Sequence, residues 1–288
     1  MENAMEINSV GILGSGTMGK QLALLCASHG IPVVLWNHRL NESFLKEFGR
    51  LAVIQAKLGN ILKEDIELII SRVSYTDQLQ HISPCNLIIE SVKENLSIKT
   101  GIISKAKDYV SKGAIWSSNT STLSITELAA LTTSPEYFVG LHFFNPPMTM
   151  KLVEVVRGEL TSDETVNSVV EILLLLNKQP VVLPEAPGFV VNRLLFPMIN
   201  EAIFLLSEGI ADEKTIDSCM QLGANHPMGP LELADFIGLD VCLSILETLV
   251  EETGDAKYRP AHLLKKYVRA GKLGRKSGSG FYNYRKRG

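Results

Sequence analysis

Over the first two thirds of the chain, short apolar runs alternate with stretches of helical period. Aliphatic and β-branched runs stand at Ser9–Leu13, Val33–Trp36, Leu87–Ile89, Ala114–Trp116 and Phe138–Leu141, and two more at Lys151–Val156 and Val181–Leu183. Runs of this kind predict strands, most of them in a parallel sheet covered on both faces. Between them lie helical patterns at Met18–Ser28, Glu42–Leu58, Asn95–Tyr109, Ser124–Leu131 and Glu164–Asn177. Several open on Ser, Thr or Asn, whose side chains can accept from the unpaired N–H groups of a first turn. Strand and helix in alternation predict an α/β fold with a doubly wound sheet.

After Leu183 the pattern changes. Pro184-Glu185-Ala186-Pro187-Gly188 is a breaker cluster, and the remainder reads as helix without strand alternation, including the apolar stretches Val190–Ser207 and Leu231–Leu249. An α/β domain over 1–184 and an all-α domain over 185–288 are expected. The second carries more apolar helix surface than a domain of its size hides unaided, which predicts a homodimer formed through it.

Composition narrows the function classes. With 45% hydrophobic and 20% charged residues in 288, the chain is an ordinary soluble globular protein, and a net charge of -3 speaks against a nucleic-acid binder. From Lys265 onward there are nine Lys/Arg and no acid, either a solvated basic end or a contact for an anionic ligand. Cys26, Cys85, Cys219 and Cys242 are scattered without ligand spacing and read as buried thiols of a reducing compartment, with no metal site. Met1–Glu6 is acidic and lacks the basic start of a secretory signal, and no run reaches the length of a membrane span. A cytoplasmic protein without a membrane partner is expected.

Candidate chemistry begins at Gly14-Ser15-Gly16-Thr17-Met18-Gly19, which follows the first strand and runs into a helix. The first glycine permits the tight turn, the second lets the backbone approach a pyrophosphate, and the third lets helix pack on strand. Helix N–H groups then face the phosphates, so a Rossmann-type dinucleotide site is predicted. The second strand should end on the residue that chooses the cofactor, where an acid would hold the ribose of NAD and repel the 2′-phosphate of NADP. Here stand Asn37, His38 and Arg39. Without the acid there is no repulsion, and Arg39 offers a fork of donors with His38 beside it, which predicts NADP, with NAD as the alternative. On the other reading Arg39 faces solvent and Asn37 caps the turn or bonds the ribose.

His142 lies in Gly140-Leu141-His142-Phe143-Phe144-Asn145-Pro146-Pro147, and Glu154 follows twelve positions on, across what reads as a hairpin of two apolar strands. That spacing offers an imidazole base held by a carboxylate. Beside a dinucleotide motif, the pairing suggests a nicotinamide that accepts hydride and a histidine that accepts a proton.

With these motifs, the chain resembles the L-3-hydroxyacyl-CoA dehydrogenases, and among them the short 3-hydroxybutyryl-CoA dehydrogenase type. The likeness runs over nearly the whole chain. It is carried by the glycine motif and by Ile88-Ile89-Glu90-Ser91-Val92-Lys93-Glu94-Asn95-Leu96, then Ser118-Asn119-Thr120-Ser121-Thr122-Leu123-Ser124-Ile125. The His142 and Glu154 runs follow, then Pro187-Gly188-Phe189-Val190-Val191-Asn192-Arg193, His226-Pro227-Met228-Gly229-Pro230 and Gly274-Arg275-Lys276-Ser277-Gly278-Ser279-Gly280-Phe281-Tyr282.

The resemblance implies hydride exchange at C3 of a short 3-hydroxyacyl-CoA, with His142 as general base and Glu154 fixing its tautomer. It implies that Ser121 bonds the reacting oxygen, that Asn192 holds substrate, and that Asn145 contacts the thioester carbonyl or the histidine. Glu94, Lys99 and Asn119 fall with the cofactor, and Arg50 and Lys57 near the CoA nucleotide. Each also has a structural reading: Ser121 lies among hydroxyl residues that could cap the next helix, and Asn192 could cap its own. Two other functions stay open, a dehydrogenase of a free hydroxy acid and a non-catalytic, crystallin-like binding protein.

Overall fold

The computed structural model describes residues 5–284. The chain divides into two compact units, Met1–Glu185 and Ala186–Gly288. The first opens with β1 (Val10–Leu13), α1 (Thr17–Ser28), β2 (Val33–Trp36), α2 (Phe44–Lys57), α3 (Ile66–Ser71) and β3 (Val73–Thr76). It continues with β4 (Leu87–Glu90), α4 (Leu96–Ala106), β5 (Ile115–Ser118), α5 (Ile125–Ala129), β6 (Phe138–Phe143), β7 (Leu152–Arg157), α6 (Asp163–Leu175) and β8 (Gln179–Pro184).

The eight strands form one sheet in the order β3-β2-β1-β4-β5-β6-β7-β8, parallel except where β6 and β7 pair as an antiparallel hairpin. This is the expected α/β, Rossmann-type fold. The inner strands β1, β4, β5 and β6 are buried at every position, which is why their apolar residues run together rather than alternate, with polar groups gathered toward the strand ends. One core gathers Ile12, Leu35, Ile89, Leu141 and Val153 of the sheet against Leu22 and Leu25 of α1, Phe48 of α2 and Val169 of α6. Helix starts follow the sequence signals: Asn95, Ser124 and Ser162 accept from main-chain N–H groups three residues on.

The second unit is helical: α7 (Val191–Ser207), α8 (Glu213–Gly223), α9 (Pro230–Ile237), α10 (Leu239–Thr253) and α11 (His262–Arg269). Phe196, Ile203, Leu231, Leu246, Tyr258 and Phe281 meet in its own core. The expected single helix Leu231–Leu249 is two, because Gly238 sits at φ 108° and breaks the ladder between α9 and α10. The Gly274–Tyr282 motif is a fastening here: Asp235 accepts from the N–H groups of Phe281 and Tyr282 at 3.0 and 2.9 Å, and Asp217 accepts from Tyr282 Oη at 2.7 Å. A Cβ on Gly280 would collide with Asp235, so the close approach requires glycine.

One further expectation is corrected. Cys219 is exposed, whereas Cys26, Cys85 and Cys242 are buried as expected, with their thiols pushed up to about 12, 11 and 12 by burial. The basic end is paired in part where it is described: Lys265 meets Glu247, Arg275 pairs with Glu232 and Lys276 with Asp240, while Lys266, Arg269 and Lys272 are exposed and Arg285, Lys286 and Arg287 lie outside the described residues. Among the described residues no helix is long and apolar enough to cross a membrane.

Candidate active site

The glycine motif links the end of β1 to α1, and its geometry fits a dinucleotide. Gly14 has φ +113°, and a Cβ there would stand 2.7 Å from the Ser91 carbonyl oxygen, so only glycine makes this turn. At Gly16 a Cβ would meet nothing within 4 Å, which leaves the backbone open to a ligand. A Cβ on Gly19 would run into the Gly14 carbonyl, so the third glycine brings α1 onto the loop. No side chain caps α1, and its first N–H groups keep their affinity for phosphate. Ser15, Thr17 and Met18 lie in the same cradle.

At the end of β2, Asn37 Nδ2 donates to the Arg39 carbonyl at 2.8 Å, so this amide closes a turn. Tyr75 Oη also donates to that carbonyl at 3.3 Å and accepts from Asn41 N at 3.1 Å, fastening the loop. His38 and Arg39 are exposed on it. Arg50 and Lys57 lie seven residues apart on α2 and are both exposed.

The hairpin places His142 directly opposite Glu154. His142 Nδ1 lies 2.7 Å from Glu154 Oε2, and the two residues are 5% and 1% exposed. Because a carboxylate only accepts, this bond puts the proton on Nδ1 and leaves Nε2 as the basic nitrogen. Such an imidazole can take a proton while the carboxylate steadies the cation that forms. Phe144 packs on the ring, with centroids 4.5 Å apart.

A second network gathers at the ends of β4 and β5. Glu90 is fully buried; it accepts from Lys99 Nζ at 2.9 Å through both oxygens, from Ser118 Oγ at 2.5 Å and from Val92 N at 2.7 Å. Lys99 also meets Glu94 at 3.1 Å, and Glu94 accepts from Thr120 Oγ1 and from Ser121 N at 2.9 Å. A buried ion pair is weak evidence for stability, since apolar replacements are often no worse, while losing one partner costs about 3–5 kcal/mol. Its position at strand ends, under the Ser121 loop, marks it as a device for holding that loop. Asn119 Oδ1 accepts from Phe143 N at 3.0 Å and so ties the loop to the His142 strand.

Within the first unit the predicted residues thus fall into the glycine cradle, the turn of Asn37, His38 and Arg39, the exposed Arg50 and Lys57 of α2, the His142–Glu154 pair with Asn145 just past its strand, and the group of Glu94, Lys99, Asn119 and Ser121. Asn192 belongs to the helical unit, buried at the second position of α7. The reading of Asn192 as a cap of its own helix is corrected, because Val190 holds the N-cap position and Asn192 lies inside the first turn. Ser121 is no cap either: Ser124 caps α5. Sequence reasoning missed Glu90, Gln21 and Lys178. The available signal for Glu90 was an acid ending an all-apolar strand, nine residues before a lysine on a helix.

A glycine cradle at the end of β1, with an imidazole–carboxylate pair across two neighbouring strands of the same sheet, is the apparatus of a nicotinamide-dependent oxidoreductase. The chain belongs to the 3-hydroxyacyl-CoA dehydrogenase family: residues 9–186 match its NAD-binding domain and residues 188–284 its C-terminal domain. It is 44% identical over 282 residues to the probable 3-hydroxybutyryl-CoA dehydrogenase of Bacillus subtilis, covering 97% of this chain and 98% of the relative. The corresponding protein of Deinococcus radiodurans is 46% identical over 279 residues, covering 95% and 99%. The crystal structure of (S)-3-hydroxybutyryl-CoA dehydrogenase from Ralstonia eutropha superposes with a TM-score of 0.92 at 41% identity, covering 98% of this chain and 100% of that one.

Proposed function

We propose that the protein interconverts 3-hydroxybutyryl-CoA and acetoacetyl-CoA with NADP(H) in preference to NAD(H). The observation that carries this reading is the buried His142–Glu154 pair at 2.7 Å on the sheet that bears the dinucleotide cradle. The cradle of Gly14, Gly16 and Gly19 would hold the pyrophosphate of the dinucleotide, whose nicotinamide would supply the hydride acceptor for C3. His142 Nε2 takes the proton of the 3-hydroxyl, and returns it to the carbonyl oxygen in the reductive direction. Glu154 holds the Nδ1 proton and stabilises the imidazolium, which a neutral partner would do less well. Ser121 bonds the same oxygen, Asn192 and Asn145 hold the acyl thioester, and Arg50 and Lys57 meet the CoA nucleotide. Glu94, with Lys99 and Asn119, serves the cofactor's nicotinamide end.

The cofactor preference is supported by the end of β2, where Asn37 stands and no carboxylate repels a 2′-phosphate, and where the sequence offers Arg39 two residues on. The homodimer is part of the proposal: Leu194 of α7 is 71% exposed and Leu222 of α8 is 88% exposed, more apolar surface than an isolated helical unit should leave in water.

The test is the initial rate of acetoacetyl-CoA reduction, with NADPH and NADH in parallel. Turnover with NADPH about tenfold or more ahead in kcat/KM supports the whole reading. An NADH preference overturns the cofactor assignment alone. Turnover of a free oxo acid and not its thioester replaces the substrate, and cofactor binding without turnover of either replaces the enzyme.

A further inference from the structure

We infer that Gln21 is a positioning residue that fixes the polarity of Asn145, setting that side chain as a hydrogen-bond donor toward a carbonyl oxygen of the substrate. The inference deepens the proposed function and rests on it.

Gln21 is an amide on the inner face of α1, 7% exposed among Leu22, Leu24 and Leu25. A buried amide needs a partner, and its Nε2 donates to Asn145 Oδ1 at 3.0 Å. Asn145 is exposed, three residues beyond His142 and just past the end of β6. An asparagine amide can present either its oxygen or its nitrogen, and the network around it decides which. With Oδ1 engaged by Gln21, Asn145 turns Nδ2, a donor only, toward any further partner.

The turn that carries Asn145 is held in place. Thr149 N and Met150 N donate to the Pro146 carbonyl at 3.1 and 3.0 Å. Lys178, 4% exposed, donates its Nζ to the carbonyls of Pro147 and Met150. Asn145 therefore cannot evade the polarity imposed on it by drawing back from α1. The consequence is chemical selection: a thioester carbonyl only accepts, so it is matched by a donor and repelled by an oxygen. Gln21 sits on the helix that starts at the glycine cradle, which links acyl recognition to the same helix that receives the cofactor's phosphates.

Two variants separate this from a packing role. In Gln21→Glu the carboxylate accepts only, so Asn145 must give it Nδ2 and present Oδ1 outward. In Gln21→Met the shape is kept and the polarity of Asn145 is released. The expected order of kcat/KM for acetoacetyl-CoA is the natural protein, then Q21M, then Q21E, with Q21E down about tenfold or more. The loss should lie chiefly in KM, with an unchanged Kd for the nicotinamide dinucleotide measured by fluorescence. In an Asn145→Ala background Q21E and Q21M should cost nothing further. Variants equal to the natural protein, or losses that persist undiminished beside N145A, overturn the inference. If Q21E does not fold, Q21M and the N145A pair decide alone. If the natural protein reduces free acetoacetate and not its thioester, the substrate reading falls, and the same set of rates on acetoacetate still judges Gln21. If neither is reduced, both fall.

Discussion

His142 and Glu154 are each almost wholly buried, and burying an unpaired charge is expensive, so the imidazolium that forms in mid-reaction depends on its carboxylate. His142→Gln should therefore lower kcat by about 10² to 10⁴ and leave KM nearly unchanged, and Glu154→Gln should fall in the same range. The double variant should be little worse than either, since the two act as one unit. Steady-state kinetics check this; losses confined to KM would assign both residues to binding instead. Cofactor choice is argued at the same scale. Asn37→Asp would place a carboxylate at the end of β2, and Arg39→Ala would remove the donor fork. A charge-assisted contact contributes about 1.5–3 kcal/mol, so each should move the NADPH/NADH ratio of kcat/KM toward NADH by roughly ten- to a hundredfold. An unchanged ratio in both variants would show that the 37–39 turn does not read the ribose.

Lys178 shows how an element is held by a single side chain. It follows α6, and burial, with Lys151 nearby, lowers its amine to about 8 from 10.5, while Cys26 opposes the shift. Between those values the unfolded chain carries a proton that the folded one has given up, so stability should rise with pH across that window. Below it, both states are protonated and the full cost of burying the charge remains. Urea unfolding of the natural protein and Lys178→Met, from pH 7 to 10.5, should give curves whose difference shifts in favour of the natural protein as pH rises; parallel curves would remove the burial argument. The deprotonated amine still donates, so its bonds to the Pro147 and Met150 carbonyls survive the titration. What was legible in the sequence divides by element in the same physical way. The inner strands and the register of His142 on Glu154 followed from apolar runs and a spacing of twelve, because burial on both faces leaves no other reading. β3 was missed because Val73-Ser74-Tyr75-Thr76 is an edge strand, only partly buried, whose pattern does not separate it from a loop. α9 and α10 read as one helix because apolar period carries no record of the positive φ at Gly238. Gln21 and Lys178 were invisible for a related reason: each is a polar group whose partners come from remote segments, and pairing across the fold leaves no periodic trace.

At the scale of the molecule, the distribution of apolar surface separates the two units. The sheet of the first is closed by helices over its inner strands, and its exposed edge strand β8 is interrupted by Pro180 and Pro184, which weakens it as a template for further pairing. The helical unit instead satisfies its own core through Asp217 and Asp235 and still leaves Leu194, Ile210 and Leu222 largely exposed. These exposed apolar side chains are what the proposed dimer would cover. If the exposed side of α7 around Leu194 closes a two-fold dimer, the interface is isologous, and one charge placed there acts twice. Leu194→Asp should then convert a dimer of the 31.7 kDa chain into a monomer in sedimentation velocity, with the far-UV spectrum and dinucleotide binding retained. An unaltered mass for this variant, or a monomeric natural protein at micromolar concentration, would place the dimer contact elsewhere or remove it. The polar interior of the first unit gives a contrasting expectation, because none of its candidate chemistry lies on α7: the His142–Glu154 bond should survive in the monomeric variant, and any fall in turnover would trace to the helical unit and to Asn192, two residues from the substitution.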